Sequence, residues 1–80
     1  MFEKFIHAAY KNFYVDAQLF ELIAVYGVRV ISVLKSESEA LEIGDTFTIT
    51  CDDAVVICEV DKLHSSEVDD CVTTIRFGFR

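Results

Sequence analysis

The chain has 80 residues, 14 acidic against 7 basic side chains for a formal charge of −7, a hydrophobic content of 52%, three cysteines and no proline. That length suits one small domain and excludes a two-domain enzyme with a buried cofactor cleft, while the apolar content excludes a disordered acidic tail. The acidic balance argues against nucleic-acid binding through a basic stripe, because attraction to phosphates needs clustered cations.

Residues 2–11 read as an amphipathic helix. Phe2, Phe5, Ile6, Ala9 and Phe13 recur at three- and four-residue steps, whereas Glu3, Lys4, His7 and Lys11 fall mostly elsewhere. Asn12 is the expected stop, since asparagine tolerates the left-handed conformation at a helix end. Met1-Phe2-Glu3-Lys4 has no cationic region leading into an apolar stretch, so no signal peptide is expected. Residues 17–26 allow two readings. One is a second helix capped by Asp16, stapled by Val15 and Phe20 and ended by Gly27. The other is a strand over 19–26 that bends at Gly27; the alanine, glutamine, leucine and glutamate content favours the helix.

From Val28 the pattern is that of strands. Residues 28–34 are β-branched and apolar on both faces, which suits a central strand. Residues 46–51 alternate, and 54–60 and 71–79 form two further runs. A two-residue turn at Asp52-Asp53 sets Cys51 opposite Ala54, Ile49 opposite Val56 and Phe47 opposite Cys58, all on one face. The expected fold is an α+β domain spanning residues 1–80. One or two N-terminal helices (1–26) pack on a four-stranded, mostly antiparallel meander (27–80) able to curl into a half-barrel.

Charge is segregated along this plan. Residues 37–70 hold Glu37, Glu39, Glu42, Asp45, Asp52, Asp53, Glu59, Asp61, Glu67, Asp69 and Asp70 against Lys62 alone. In an up-and-down meander the first and third strand connections leave from the same end. Glu37, Glu39, Glu42, Asp45, Asp61, Glu67, Asp69 and Asp70 would then share one edge of the domain. Such a cluster is either a solvated face that keeps an apolar protein soluble or a docking surface for a basic partner. No segment spaces its carboxylates like a calcium-binding loop.

Residue types with catalytic or ligating chemistry occur without the spacing that chemistry needs. Cys51, Cys58, His64 and Cys71 contain no CxxC pair to converge tetrahedrally on zinc, so the three cysteines read as core residues with free thiols in a reducing cytoplasm. Cys58 and Cys71 are candidate cross-strand neighbours. Asp61, His64, Ser65 and Ser66 crowd one loop with no nucleophile elbow or oxyanion hole. Gly27, Gly44 and Gly78 are too scattered to cradle a phosphate. No catalytic residue, metal or cofactor is expected. Seven aromatic residues lie within the first 26, enough either to cover one sheet face or to leave some as interface anchors for a homo-oligomer.

Strand 28–34, then a loop ending Leu41-Glu42-Ile43-Gly44-Asp45, then strand 46–50, followed later by Glu59-Val60-Asp61-Lys62-Leu63 and Ile75-Arg76-Phe77, resembles the second, β-barrel domain of translational GTPases over residues 27–80. The resemblance implies a small barrel and a role in translation or RNA binding through Arg29, Lys35, Arg76 and Arg80. Ser36-Glu37-Ser38-Glu39 stands where that family has a glycine-rich turn. The residues themselves point instead to a cytoplasmic, non-enzymatic acidic interaction protein. Its expected role is that of an inhibitor or regulator docking on a basic surface of a nucleic-acid-handling protein, as phage anti-defence and toxin-immunity proteins of this size and charge do. Neither direct DNA binding nor membrane contact is expected.

Overall fold

The computed structural model describes residues 11–80. In chain order the elements are β1 (Lys11–Tyr14), α1 (Ala17–Ala24), β2 (Val30–Leu34), α2 (Lys35–Ser38), β3 (Thr46–Cys51), β4 (Ala54–Ser65) and β5 (Val72–Phe79). The expected helix over 2–11 lies outside the described residues except for Lys11, which opens β1. Asn12, expected to end that helix, and Phe13, counted in its apolar spacing, are strand residues.

The fold is α+β, with five strands rather than four, in the order β1-β3-β4-β5-β2. β1 is parallel to β3, and every other pairing is antiparallel. The meander is therefore incomplete. β2 does not lie beside β3 but crosses to the far edge and pairs with β5, Ile31 opposite Ile75 and Val33 opposite Thr73. The apolar run at 28–34 is thus an edge strand, not a central one.

The β3–β4 hairpin has the expected register, with Phe47↔Cys58, Ile49↔Val56 and Cys51↔Ala54 across Asp52-Asp53. Asp52 takes φ 52°, one of the left-handed positions that a tight hairpin requires. β4 runs on to Ser65, well beyond the end of its β3 partner. Its register against β5 shifts between Val60 and Lys62, leaving Asp61 as a bulge. The two halves of β4 serve different neighbours, β3 along 54–59 and β5 along 58–65.

This arrangement curls the sheet into a half-barrel. Phe47 on β3 lies between Phe13 on β1 and Phe77 on β5 in edge-to-face contacts of 5.7 and 5.6 Å between centroids. β3 and β5 are separated by β4, so in a flat sheet they would stand about 9.5 Å apart. The 5.6 Å ring contact across that span fits a sheet that curls toward its inner face. Around this aromatic row the core gathers Ile23, Ile31, Leu41, Ile49, Cys58, Val60 and Ile75.

The helix reading of residues 17–26 holds. The Asp16 carboxylate accepts from Leu19 N at 2.8 Å, α1 packs on β3 with Ile23 fully buried, and Gly27 turns the chain at φ +81°. Arg29 completes the helix end, donating from Nη1 to the carbonyls of Ile23 and Val28 at 2.9 and 3.0 Å. No helix among the described residues is long and apolar enough to cross a membrane.

Candidate interaction site

The strand directions bring the β2–β3 connection (35–45) and the β4–β5 connection (66–71) to the same end of the sheet, although β2 occupies an edge. A backbone hydrogen bond from Lys35 N to Cys71 O at 2.7 Å ties them together. The second connection is held by local bonds. Ser66 Oγ accepts from the amides of Val68 and Asp69 at 3.2 and 3.1 Å, and the Asp69 carboxylate accepts from Cys71 N at 2.9 Å. Serine and aspartate favour such turns because their short side chains reach the backbone two or three residues on. Glu67 and Asp70 are thereby carried on a fixed turn, exposed, close to α2 with Glu37 and its C-cap Glu39.

The eight expected contact residues divide into two sets, with Asp61 apart from both. Glu37, Glu39, Glu67, Asp69 and Asp70 lie on the two connections that the Lys35–Cys71 bond joins. Glu42 and Asp45 belong to a turn docked on the middle of β4, where Gly44 N donates to Val60 O and Val60 N to Asp45 O, both at 2.8 Å. Gly44 supplies φ +94° there, and the Asp45 carboxylate accepts from Glu42 N at 2.9 Å. Asp61 is not a loop residue. It sits on the β4 bulge with its carboxylate 3.2 Å from Arg76 Nε, because the strand continues past the residue whose charge suggested its end. Asp45 is half-buried and the other seven are exposed.

The cysteines do not form a cluster. Cys58 is fully buried opposite Phe47 and Phe79, Cys51 is half-buried at the hairpin, and Cys71 is exposed at the other end of β5. Cys58 and Cys71 are therefore not cross-strand neighbours. Burial pushes the Cys58 thiol up to about 11, against a smaller opposing pull from the Arg29 guanidinium. Cys51 is raised by desolvation first and by the charges of Asp52 and Asp16 second. Among the described residues, no three histidine, cysteine, aspartate or glutamate side chains converge on a point that would hold a metal. His64 is exposed on β4 opposite Thr74.

Two features were not legible in the sequence. The first is a cleft of about 470 Å³ between the edge strands β1 and β2, which the curl brings toward one another. Phe13, Val15, Ile31 and Val33 supply its apolar walls, and Glu37 stands at one end. The second is a hollow of about 390 Å³ beside β5, lined by Arg29, Arg76 and Phe79 among others. There the Arg29 guanidinium stacks 3.7 Å from the Phe79 ring centroid. Near it Arg80 reaches Glu59 at 3.3 Å and Thr46 Oγ1 at 2.8 Å.

Of the N-terminal aromatics, Phe13 is buried and Phe20 packs against the core, while Tyr14 and Tyr26 are 81% and 70% exposed. Phe2, Phe5 and Tyr10 lie outside the described residues. Among the described residues, eleven large apolar side chains are exposed against ten buried in the core, so the hydrophobic surplus is carried partly on the surface. No family model matches the chain, and no curated protein matches it.

Proposed function

We propose that the chain is a non-enzymatic acidic interaction protein, an inhibitor or regulator that engages a basic surface of a nucleic-acid-handling protein. One observation carries this reading: Glu37, Glu39, Glu67, Asp69 and Asp70 gather on two connections bonded to each other at the same end of the sheet. Concentrated charge of one sign steers an oppositely charged partner and sets its register. The exposed apolar side chains around it, Leu34 and Val68 among them, supply the desolvated contacts that charge alone does not. A cytoplasmic setting and self-association through the exposed aromatics Tyr14 and Tyr26 belong to the same proposal.

Glu37, Glu39, Glu67 and Asp70 form no ion pair among the described residues, so neutralising them to glutamine or asparagine leaves the fold intact. Pull-down from native lysate at low and high salt tests the reading. The wild type retains a basic protein at low salt and loses it at high salt, and the four-site variant fails to retain it. Equal retention by both proteins at low salt would sink the proposal.

A second reading, a stand-alone barrel module acting on RNA, draws on the hollow with Arg29, Arg76 and Phe79, where an aromatic ring and guanidinium groups stand together as in single-strand recognition. Its three arginines are already engaged, Arg76 by Asp61, Arg80 by Glu59 and Arg29 by the carbonyls of Ile23 and Val28. The acidic end is therefore the stronger candidate. Co-purifying RNA that is lost on Arg76→Ala would reverse this order.

A further inference from the structure

We infer that the cleft between β1 and β2 is a receptor for one extended strand, a segment of the basic partner that inserts there and closes the half-barrel. The inference rests on the basic-partner reading for the occupant's charge, and on backbone geometry for its shape.

The backbone directions follow from the hydrogen bonds that flank the edge strands. On the β2 side, Phe77 N donates to Arg29 O at 2.9 Å and Lys35 N to Cys71 O at 2.7 Å. In an antiparallel pair every second residue bonds the neighbour, so residues 29, 31, 33 and 35 face β5. The amides and carbonyls of Val30, Ser32 and Leu34 then point away from β5, toward the cleft. On the β1 side, Val15 N donates to Thr50 O at 3.0 Å. The same alternation makes residues 11, 13 and 15 face β3 and turns the backbone of Asn12 and Tyr14 outward. Among the described residues neither strand has a second neighbour.

Two edges thus offer Asn12 and Tyr14 from one side and Ser32 and Leu34 from the other, across a cleft that all four residues line. Because β1 and β2 run in opposite directions, an inserted strand is parallel to one and antiparallel to the other. Phe13, Ile31 and Val33 face the half-barrel interior and accept alternate apolar side chains of the occupant, the pattern of recognition by strand addition. The volume of about 470 Å³ falls within the ordinary range of about 300–1,000 Å³ for binding pockets. Glu37 at one end, with Glu39 and the 66–71 turn beyond it, selects lysine or arginine on the occupant where it leaves the cleft.

The test uses the full chain and a labelled synthetic peptide of alternating valine and threonine with two lysines at each end. The peptide binds at low salt, and the amides of Asn12, Tyr14, Ser32 and Leu34 shift in NMR spectra and slow in hydrogen exchange. Ser32→Pro deletes a cleft-facing donor without touching the β5 ladder and weakens binding about fivefold to tenfold. Ser32→Ala keeps the donor and binds as the wild type does. N-methylation of the peptide at alternate residues also abolishes binding, which removes dependence on any one protein variant. Glu37→Lys weakens the lysine-ended peptide and strengthens a glutamate-ended one.

Several outcomes overturn the inference. Protection of those four amides in the free protein at every concentration means that residues 1–10 of the chain itself hold the cleft. Protection that grows with protein concentration means that a second copy does. Binding indifferent to Ser32→Pro and to N-methylation places the peptide elsewhere. The two readings also fail separately: equal binding of the glutamate-ended peptide removes the basic partner and leaves the strand receptor, whereas a lysine-ended peptide that moves none of the four amides removes the receptor and leaves the acidic loops.

Discussion

Gly27 and Gly78 separate two effects of glycine. Neither has a heavy atom within 4 Å of where a Cβ would stand, yet Gly27 takes φ +81° and Gly78 lies in β5 with no positive φ. Gly27→Ala therefore costs about 1–2 kcal/mol of backbone strain, while Gly78→Ala is neutral or slightly stabilising. Urea denaturation of the two variants checks the contrast. Cys58 links burial to pH in the same direct way. Its folded value of about 11 stands above the ordinary 9.0, so from pH 9 to 11 the native thiol keeps a proton that the unfolded chain has released. Its contribution to stability is complete below about pH 9 and is lost as pH rises through 11. The urea midpoint falls over that window, and the fall is smaller in Cys58→Ala, whose other titrating groups are unchanged. A thiol reagent at neutral pH modifies exposed Cys71 first and Cys58 only on unfolding.

The two faces of β2's backbone make opposite predictions for proline. Ser32→Pro removes an N–H aimed at the cleft and is tolerated, as proline is on an open edge. Val33→Pro removes an N–H bonded to β5 and costs about 1–3 kcal/mol more; thermal melts of the pair read the difference. The hairpin was legible because alternation in 46–51, alternation in 54–60 and a two-residue turn each imply the same register. The first strand was not. Phe13 continues the three- and four-residue spacing of Phe5, Ile6 and Ala9, and parallel pairing with β3 across more than 30 residues leaves no local trace in a four-residue segment. An unbroken apolar run such as 28–34 marks a strand but not its position in the sheet. Here the outward Val30 and Leu34 are 44% and 55% exposed. Asp61 shows the converse difficulty, since a charge that reads as the end of a strand is a bulge within one.

For the molecule as a whole, the segregation of charge was legible as a count, and the same-end placement of its two loops survived a change of topology. It survived because antiparallel pairing fixes strand direction whichever edge β2 occupies. The cleft was not legible, because it exists only between two particular edge strands and only in a curled sheet. Acidic end and apolar cleft lie side by side, joined at Glu37, which is the arrangement that the proposed docking on a basic partner uses. The most direct test is retention of a basic protein from native lysate at low salt, compared between the wild type and the variant neutralised at Glu37, Glu39, Glu67 and Asp70. Retention by the wild type that is lost at high salt and lost in the variant is the result predicted; retention that is the same in both proteins would contradict the account.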